Sequence, residues 1–306
     1  MHLSIVTAES LQLEALLESF SELDTPPTID LVAVNHDSQS ALYAGRSLAF
    51  EILEDYNFSE CDAVLLLTDS VAVSAAVPYL QKSECKVFAW QASATELSLI
   101  DAKRVTFIAN PFVQALAQMI SALPADLVVE HAAMTVFLPS SIYAKQGIAE
   151  LAAQTAKLLN AQTVEHEVFD AQMTFNYFPA KANVIGATFE SQLKLELQAL
   201  FSDAEIFLSA VQMPVFHGYG AQLHIEFSQE ISAQAFNEKL QDVEFIELVA
   251  DDKSVSGVSF ANAGNHVLLG NVSQDAAEQH ALSCWFGFDE AKFGVANNWI
   301  SAIMKA

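Results

Sequence analysis

The chain has 306 residues, of which 52% are hydrophobic and 17% charged, and its formal net charge is -25. That length exceeds one average domain, and the small charged fraction indicates a buried sheet together with an apolar subunit interface. Because so acidic a chain has little positive charge with which to release counterions, we expect neither nucleic acid nor an anionic membrane surface as a partner.

The cysteines and the hydropathy pattern favour a reducing compartment. Cys61, Cys85 and Cys284 have no CxxC or other ligand spacing, so we expect neither a disulfide framework nor a zinc site. No apolar run reaches the roughly 18 to 20 residues of a membrane span, and no basic segment opens a signal peptide. We therefore expect a cytoplasmic protein without a transmembrane segment.

The first third of the chain alternates strands with helices. Helices are predicted over Glu9 to Phe20 and Ser70 to Leu80. Continuous apolar runs between them are typical of strands that are covered on both faces. These strands are His2 to Thr7, Ile29 to Val34, Asp62 to Leu67, Lys86 to Trp90 and Val105 to Ala109. The order predicts an open parallel α/β sheet, a fold that often binds a dinucleotide at its first strand-to-helix turn.

That first turn, Val6 to Leu13, contains no glycine. A pyrophosphate loop needs glycines so that backbone amides can approach the phosphates, and Glu9 stands about where a phosphate would lie. We interpret the segment as a plain strand-to-helix turn with Glu9 favourably placed on the helix dipole.

The second part of the chain predicts an α+β layer. Its helices are Phe112 to Leu123, Ser141 to Leu159, Phe189 to Phe201 and Ser232 to Leu240, with a closing helix over Ala291 to Lys305. Its strands are Leu127 to Leu138, Ala204 to Ala210, Phe245 to Val249, His266 to Val272 and His280 to Phe288. We expect long strands in antiparallel succession, helices on one side, and dimerisation through the free face.

The segment Gln212 to Glu226 predicts a β-hairpin. Gly218 and Gly220 straddle Tyr219 and supply backbone freedom, and apolar residues alternate with polar ones on both sides. Its aromatic and imidazole groups leave two interpretations open. The segment is either a regular sheet corner or a place that presents side chains to a functional site.

Several stretches resemble the aspartate-semialdehyde dehydrogenase family, most closely its usg-type branch. They are Ile108 to Pro111, Gly147 to Asn160, Phe175 to Pro179, Pro214 to Gly218 and Lys292 to Ala296. The resemblance implies a Rossmann-like, degenerate NAD(P)-binding domain over 1–111 and 290–306, and an α+β dimerisation domain over 112–289. In active members a cysteine thiolate attacks the aldehyde, a hydride passes to NADP, and phosphate displaces the acyl group.

The catalytic positions implied by the resemblance hold other residues here. The nucleophile falls on Val113, the glutamine that positions the thioester falls near Leu138, and the arginine that clamps the carboxylate falls on Gln212. The acid/base histidine falls on Tyr219. Losing the nucleophile alone costs on the order of 10^4-fold in rate, so we predict that the family reaction is absent.

The cofactor positions are changed as well. The glycines of the first turn fall on Thr7, Ser10 and Leu13. A phosphate-binding arginine has no counterpart in Gln91 to Asp101, where Glu96 lies instead. We expect no bound cofactor and no metal, and interpret Asp251, Asp252 and His266 as solvated residues rather than ligands.

Two functional hypotheses follow. The first is a catalytically inactive homodimer that acts as a binding or scaffolding protein, with an active dehydrogenase or a small molecule as partner. The second is an NADP-dependent oxidoreductase with altered chemistry in amino-acid biosynthesis, in which His217 replaces the lost acid/base. On an extended strand, the side chains of His217 and Tyr219 would share a face. A hydrogen-bonded histidine, and a Tyr219 that fills the vacated pocket, are the simpler interpretation.

Overall fold

Two compact units make up the chain, residues 1–111 with 294–306 and residues 112–293. The computed structural model describes residues 1–8, 10–34, 40–68, 70–180, 186–250, 253–274 and 278–305. Within these ranges each unit holds one seven-stranded sheet. The predicted combination of a Rossmann-like α/β sheet with a second α+β layer is confirmed.

The first sheet is parallel except at one edge, and its strand order is β3-β4-β2-β1-β5-β6-β7. The elements in chain order are β1 (His2–Thr7), α1 (Leu11–Ser21), β2 (Thr28–Ala33), β3 (Ser40–Tyr43), β4 (Arg46–Ile52), β5 (Ala63–Leu67), α2 (Ser70–Leu80), β6 (Lys86–Trp90) and β7 (Val105–Ile108). All five residues of β5 are buried, as expected for a strand covered on both faces. Helix α1 buries Leu13, Leu16, Leu17 and Phe20, one stripe at helical spacing.

The antiparallel edge of this sheet, the β3–β4 hairpin, was not predicted from the sequence. Its two turn residues, Ala44 and Gly45, have φ values of +46° and +77°. Such a turn needs positive φ at both central positions, which Asn-Gly or Asp-Gly usually signals. Alanine at the first position removed that signal.

The second sheet is mixed and has the order β12-β13-β14-β11-β8-β10-β9. The helices are α3 (Pro111–Ser121), α4 (Ala144–Leu159), α5 (Gly186–Leu200), α6 (Ala233–Leu240) and α7 (Gly257–Ala261). The strands are β8 (Val129–Leu138), β9 (Phe178–Pro179), β10 (Glu205–Gln212), β11 (Tyr219–Phe227), β12 (Ile246–Leu248), β13 (Val267–Gln274) and β14 (Ala281–Phe288).

The predicted hairpin over Gln212 to Glu226 is wrong. β10 and β11 are not neighbours, because β8 lies between them and pairs with both, parallel to β10 and antiparallel to β11. The predicted antiparallel succession is wrong for the same reason, and β12 also runs parallel to β13. Alternation of apolar residues identifies a strand and its buried face, but it does not specify the strand beside it.

One face of the second sheet is packed and the other is open. Ala132, Met134 and Val136 of β8 are buried, whereas the alternate residues are half-buried. On that open side the rings of Phe137 and Trp285 stack with centroids 5.1 Å apart and planes 5° apart. The open side therefore carries an aromatic patch among polar side chains.

The chain closes with helical segments rather than the single predicted helix. A π-helical stretch, Lys292–Asn297, leads into α8 (Asn298–Lys305), which packs against α1 and β7 of the first unit. Across the described ranges, no helix has the length and apolar character needed to cross a membrane.

Candidate functional site

The residues predicted to be a degenerate active site meet at one end of the second sheet. Gln212 pairs with Leu138 across β10 and β8, Gly220 pairs with Phe137 across β11 and β8, and Tyr219 pairs with Phe288 of β14. The register thus places Leu138, Gln212 and Tyr219 along one end of the sheet.

Gln212 is buried and hydrogen-bonds to the end of the neighbouring strand β8. It is 1% exposed, and its Nε2 donates to the backbone oxygen of Leu138 at 3.0 Å. Its Oε1 is buried and has no hydrogen-bond partner among the residues that the structure describes. The side chain is neutral, so it cannot supply the charge with which a guanidinium holds a carboxylate.

Tyr219 lies in a cluster of phenylalanines. Its ring stacks on Phe112 with centroids 5.6 Å apart and planes 9° apart, and it meets Phe189 and Phe288 edge-on. Burial and the nearby Glu290 carboxylate raise its pKa well above its usual range. The phenol therefore stays protonated at neutral pH and cannot act as a base there.

Val113 and Leu138, the other two positions at which the resemblance predicts lost function, carry apolar side chains. Val113 is 6% exposed in α3, and Leu138 is 1% exposed at the end of β8. Neither side chain offers an atom for nucleophilic attack or for hydrogen bonding to a thioester.

His217, the predicted surrogate acid/base, contacts a buried carboxylate. Its Nδ1 lies 2.7 Å from Oε1 of Glu290, the second residue after β14. The Ser141 hydroxyl donates to the same oxygen at 2.6 Å, and the Gly218 N–H donates to Oε2 at 2.8 Å. The side chain of Glu290 is 8% exposed and that of His217 35%, so a buried carboxylate supports a partly exposed imidazole.

The two members of this pair shift each other's pKa. Burial acts to raise the pKa of Glu290, but the hydrogen bonds from His217, Ser141 and Gly218 outweigh it, so that pKa is lowered. The hydrogen bond to Glu290 raises the pKa of His217 against the opposing effect of burial. The carboxylate is therefore ionised, and Nδ1 carries a proton toward it.

Gly218 holds the network together through its backbone. Its φ is +94°, and a Cβ there would overlap the backbone oxygen of Gly257 and lie 2.7 Å from the nitrogen of Ala261. Only glycine fits, and its N–H is thereby aimed at Glu290. Gly220 has no positive φ; it is glycine because the Phe260 ring approaches within 2.8 Å of its missing Cβ.

Glu290 and Ser141 were not found from the sequence. Glu290 lies 73 residues from His217 and follows an ordinary buried strand, so no local spacing marks it. The prediction that His217 and Tyr219 share a face assumed an extended strand through both residues, but β11 begins only at Tyr219.

The described residues of the first strand-to-helix turn make local contacts of their own. Thr7 is 4% exposed and its hydroxyl donates to Ala8 O at 3.1 Å. Ser10 caps α1 by accepting from the Leu13 N–H at 3.2 Å, and Leu13 is fully buried. One amide that a phosphate would need is thus already used. Glu9 lies outside the described residues.

Neither arginine of the chain belongs to the second unit. Arg104 donates to the backbone oxygens of Cys85 at 3.0 Å and Leu80 at 3.2 Å, and Arg46 begins β4. The sequence has no other arginine. The second unit therefore has no guanidinium with which to grip a carboxylate or a phosphate bidentately.

A group with metal-ligand chemistry lies at the other end of β11. Ligand atoms of Glu226, Glu278 and His280 lie within 4.8 Å of one another. Glu226 already contacts His131 Nδ1 at 3.0 Å and His224 Nε2 at 3.5 Å. Because Glu226 already pairs with two imidazoles and Glu278 is an exposed carboxylate, we assign no metal to this group. Asp251 and Asp252 lie outside the described residues.

Known proteins match both the sequence and the fold. Residues 141–290 match the family described as semialdehyde dehydrogenase, dimerisation domain. The chain is 24% identical over 307 residues to aspartate-semialdehyde dehydrogenase 2 of Vibrio cholerae, covering 93% of this chain and 91% of that protein. It is 24% identical over 321 residues to the USG-1 protein homolog of Pseudomonas aeruginosa, covering 97% and 95%.

The fold comparison extends over nearly the whole chain. The crystal structure of aspartate semialdehyde dehydrogenase II from Vibrio cholerae superposes with a TM-score of 0.89 at 21% sequence identity. The match covers 99% of this chain and 97% of that one. Both sheets are therefore shared with that protein.

Proposed function

Because the chain belongs to the aspartate-semialdehyde-dehydrogenase-like family, we propose that it has lost that family's reaction and acts as a dimeric binding or scaffolding protein. The observation that carries this proposal is the packing at the changed positions. Val113, Gln212 and Tyr219 are all buried, and the last two are tied into the sheet end and an aromatic cluster. These residues occupy the space and supply none of the three chemical roles.

The proposal also includes the loss of NAD and NADP binding. The capped N-terminus of α1 and the buried side chains of Thr7 and Leu13 argue against a phosphate cradle at the first turn. We therefore propose that neither NAD nor NADP binds. Thermal-shift titrations with both nucleotides should give flat melting temperatures, whereas a saturable increase would contradict this part of the proposal.

We also propose a homodimer formed through the open side of the second sheet, where Trp285 is 38% and Phe207 62% exposed. Burying such an aromatic patch stabilises a subunit interface. Light scattering during size exclusion should show a dimer of about twice the 33.2 kDa chain mass. Trp285→Arg should shift it toward monomer, while Leu42→Arg, which changes an exposed residue of the first unit, should leave the dimer intact.

Native mass spectrometry of the purified protein tests the binding role without assuming the ligand. A retained metabolite on the dimer would support a small-molecule binding protein. A clean dimer, together with capture of a dehydrogenase subunit in defined mixtures, would support scaffolding. A monomer that carries neither would contradict both forms of the proposal.

One observation favours the second candidate, an oxidoreductase with altered chemistry. The carboxylate of Glu290 orients and charges His217, as carboxylates do for catalytic histidines. Such an enzyme still requires a hydride acceptor. Saturable NADP binding that is abolished by a bulky residue at Thr7 would support it.

A further inference from the structure

Two of the three cysteines meet at the edge of the first sheet where β5 and β6 begin. Cys61 lies two residues before β5 and Cys85 one residue before β6, and these strands are parallel neighbours. The Lys86 N–H donates to the Asp62 oxygen at 3.1 Å, so the backbones are still paired beside both cysteines. The two thiols pack in one apolar cluster and hydrogen-bond to each other. Neighbouring strands are about 4.8 Å apart, which suits the Cα separation of about 4.4 to 6.8 Å that a disulfide needs.

Polar groups surround the Cys85 thiol. Ser83 Oγ lies 3.0 Å from Cys85 Sγ, and Arg104 Nη2 donates to that hydroxyl oxygen at 3.3 Å. Arg104 Nε also donates to the Cys85 backbone oxygen at 3.0 Å. Hydrogen bonding from Cys61, assisted by Ser83 and by the Arg104 charge, lowers the pKa of Cys85 to about 6 against the opposing effect of burial. Cys85 is therefore largely a thiolate at neutral pH, the form that acts as a nucleophile.

The Cys61 thiol has the opposite character. Its hydrogen bond to Cys85 and its burial raise its pKa well above the usual range. Its sulfur also lies 3.3 Å from the Phe58 backbone oxygen, to which the thiol can donate. The pair thus combines one ionised and one protonated sulfur, as a reactive cysteine and its resolving cysteine do.

Cys284 provides a contrast. It lies in β14 of the second unit, is 1% exposed, and burial raises its pKa to about 12. A buried thiol that stays protonated is a poor nucleophile. The features that favour reaction at Cys85 are therefore not general to the cysteines of this chain.

Both thiols of the pair lie directly beneath the surface. Cys61 is 8% and Cys85 6% exposed, and the residues on either side of each cysteine are exposed. Those flanking residues are Glu60, Asp62, Glu84 and Lys86. Three carboxylates against one ammonium, in a chain with a net charge of -25, disfavour an anionic oxidant such as glutathione disulfide. Hydrogen peroxide is neutral and little larger than water, so it meets no such repulsion.

We propose that Cys61 and Cys85 form a redox-responsive site, at which hydrogen peroxide oxidises Cys85 and Cys61 then closes a reversible disulfide between the two neighbouring strand ends. The inference goes beyond the proposed binding role and does not depend on it, because both cysteines lie in the first unit and outside the first strand-to-helix turn. A reversible bond of this kind differs from the structural disulfide framework that the cysteine spacing argues against.

The oxidation transfers two electrons. The Cys85 thiolate attacks one peroxide oxygen and the O–O bond breaks; the departing hydroxide takes a proton from solvent and becomes water, which leaves Cys85 as a sulfenic acid. The Cys61 sulfur then attacks the Cys85 sulfur, and the hydroxyl group leaves with the Cys61 thiol proton as a second water. The peroxide gains the two electrons that the two sulfurs lose, and a dithiol reductant restores both thiols.

Thiol counting on the full chain tests the proposal. The reduced protein is treated with one equivalent of hydrogen peroxide at pH 7, the remaining thiols are alkylated with N-ethylmaleimide, and the masses of the intact chain and its peptides are measured. We expect one alkylated thiol, Cys284, and a disulfide between Cys61 and Cys85 that dithiothreitol reverses. The matched control Cys284→Ser should form the same disulfide.

Two variants and a second oxidant separate the roles. Cys61→Ser should stop at a sulfenic acid on Cys85, which dimedone labels, whereas Cys85→Ser should react about tenfold more slowly with peroxide. Glutathione disulfide, with its rate expressed relative to free cysteine, should react more slowly with the unchanged protein than peroxide does on the same scale. The reverse order would overturn the assignment of a neutral oxidant.

The pH dependence of oxidation, measured on the unchanged protein, does not rely on variants that fold. Because the thiolate is the reactive form, the rate of disulfide formation should reach half its maximum near pH 6 rather than near the ordinary cysteine pKa of 9.0. Three alkylated thiols after peroxide, a disulfide that includes Cys284, a half-maximum near the ordinary pKa or full reactivity in Cys85→Ser would each overturn the proposal.

Discussion

The first strand-to-helix turn and the end of the second sheet, the two places where the resemblance predicts lost function, differ in their structure. At the turn, Ser10 caps α1 and the Leu13 side chain is buried. At the sheet end, Tyr219 packs among phenylalanines beside a polar network of His217, Glu290, Ser141 and Gly218. A capped helix start needs no ligand to explain it. The imidazole of His217, in contrast, is held by a buried carboxylate, and burying that charge costs free energy.

The largest effect is expected from Glu290→Ala, which removes the acceptor from three donors. Leaving the buried Gly218 N–H and the partly buried Ser141 and His217 without their charged acceptor should lower the free energy of unfolding by about 4 kcal/mol. Urea denaturation measures it. The control Glu278→Ala, at an exposed carboxylate, should change stability by less than about 0.5 kcal/mol. Equal losses would mean that the network does not stabilise the sheet end.

Gly218→Ala should cost about 3 kcal/mol, because an added Cβ meets backbone atoms as well as an unfavourable φ. Gly45→Ala in the first unit is the matched control. Its φ of +77° is similar, but nothing lies within 4 Å of the added atom, so we expect a loss of about 1 kcal/mol. Indistinguishable denaturation midpoints for the two variants would refute the close packing at Gly218.

Tyr219→His should destabilise the protein by about 2 kcal/mol, because a smaller, polar ring replaces one in the phenylalanine cluster. The same substitution at Tyr177, which is 71% exposed, should be nearly neutral. If Tyr219→His were tolerated equally well, the position would be a vacated pocket that is still open to drift.

Ser10→Ala tests the helix cap at the first strand-to-helix turn. Losing the cap of α1 should cost about 1 kcal/mol, measured by thermal unfolding. The freed Leu13 amide should not create nucleotide affinity, because the turn still has no glycine to let a phosphate approach the backbone. NADP binding by this variant would show that the cap alone had blocked the site.

The smallest effect is the pH dependence of the His217–Glu290 pair, since His217 is partly screened by solvent. The pKa of His217 is raised by folding. Its contribution to the free energy of unfolding is therefore complete below the ordinary pKa of 6.5 and is lost as pH rises through the raised pKa. The pKa of Glu290 is lowered by folding. Its contribution to the free energy of unfolding is therefore complete above the ordinary pKa of 4.5 and is lost as pH falls through the lowered pKa. The stability difference between the unchanged protein and His217→Gln should therefore be largest between these two values.

The sequence predicted the parts of the fold that depend on periodicity. Continuous apolar runs identified β1, β5 and β6, and their order identified the parallel sheet. The β10–β11 hairpin was wrong because the choice of a neighbouring strand depends on packing between distant segments. Glu290 was missed for the same reason, since its contact with His217 joins residues 73 positions apart.

The most direct test of the central claim is a spectrophotometric assay at 340 nm of the purified chain with aspartate semialdehyde, NADP and phosphate. An active family member assayed alongside should form NADPH. This chain should form none above the rate without enzyme, because Val113, Gln212 and Tyr219 provide no nucleophile, no cationic clamp and no base. Formation of NADPH that depends on the chain, the aldehyde and phosphate would contradict the account.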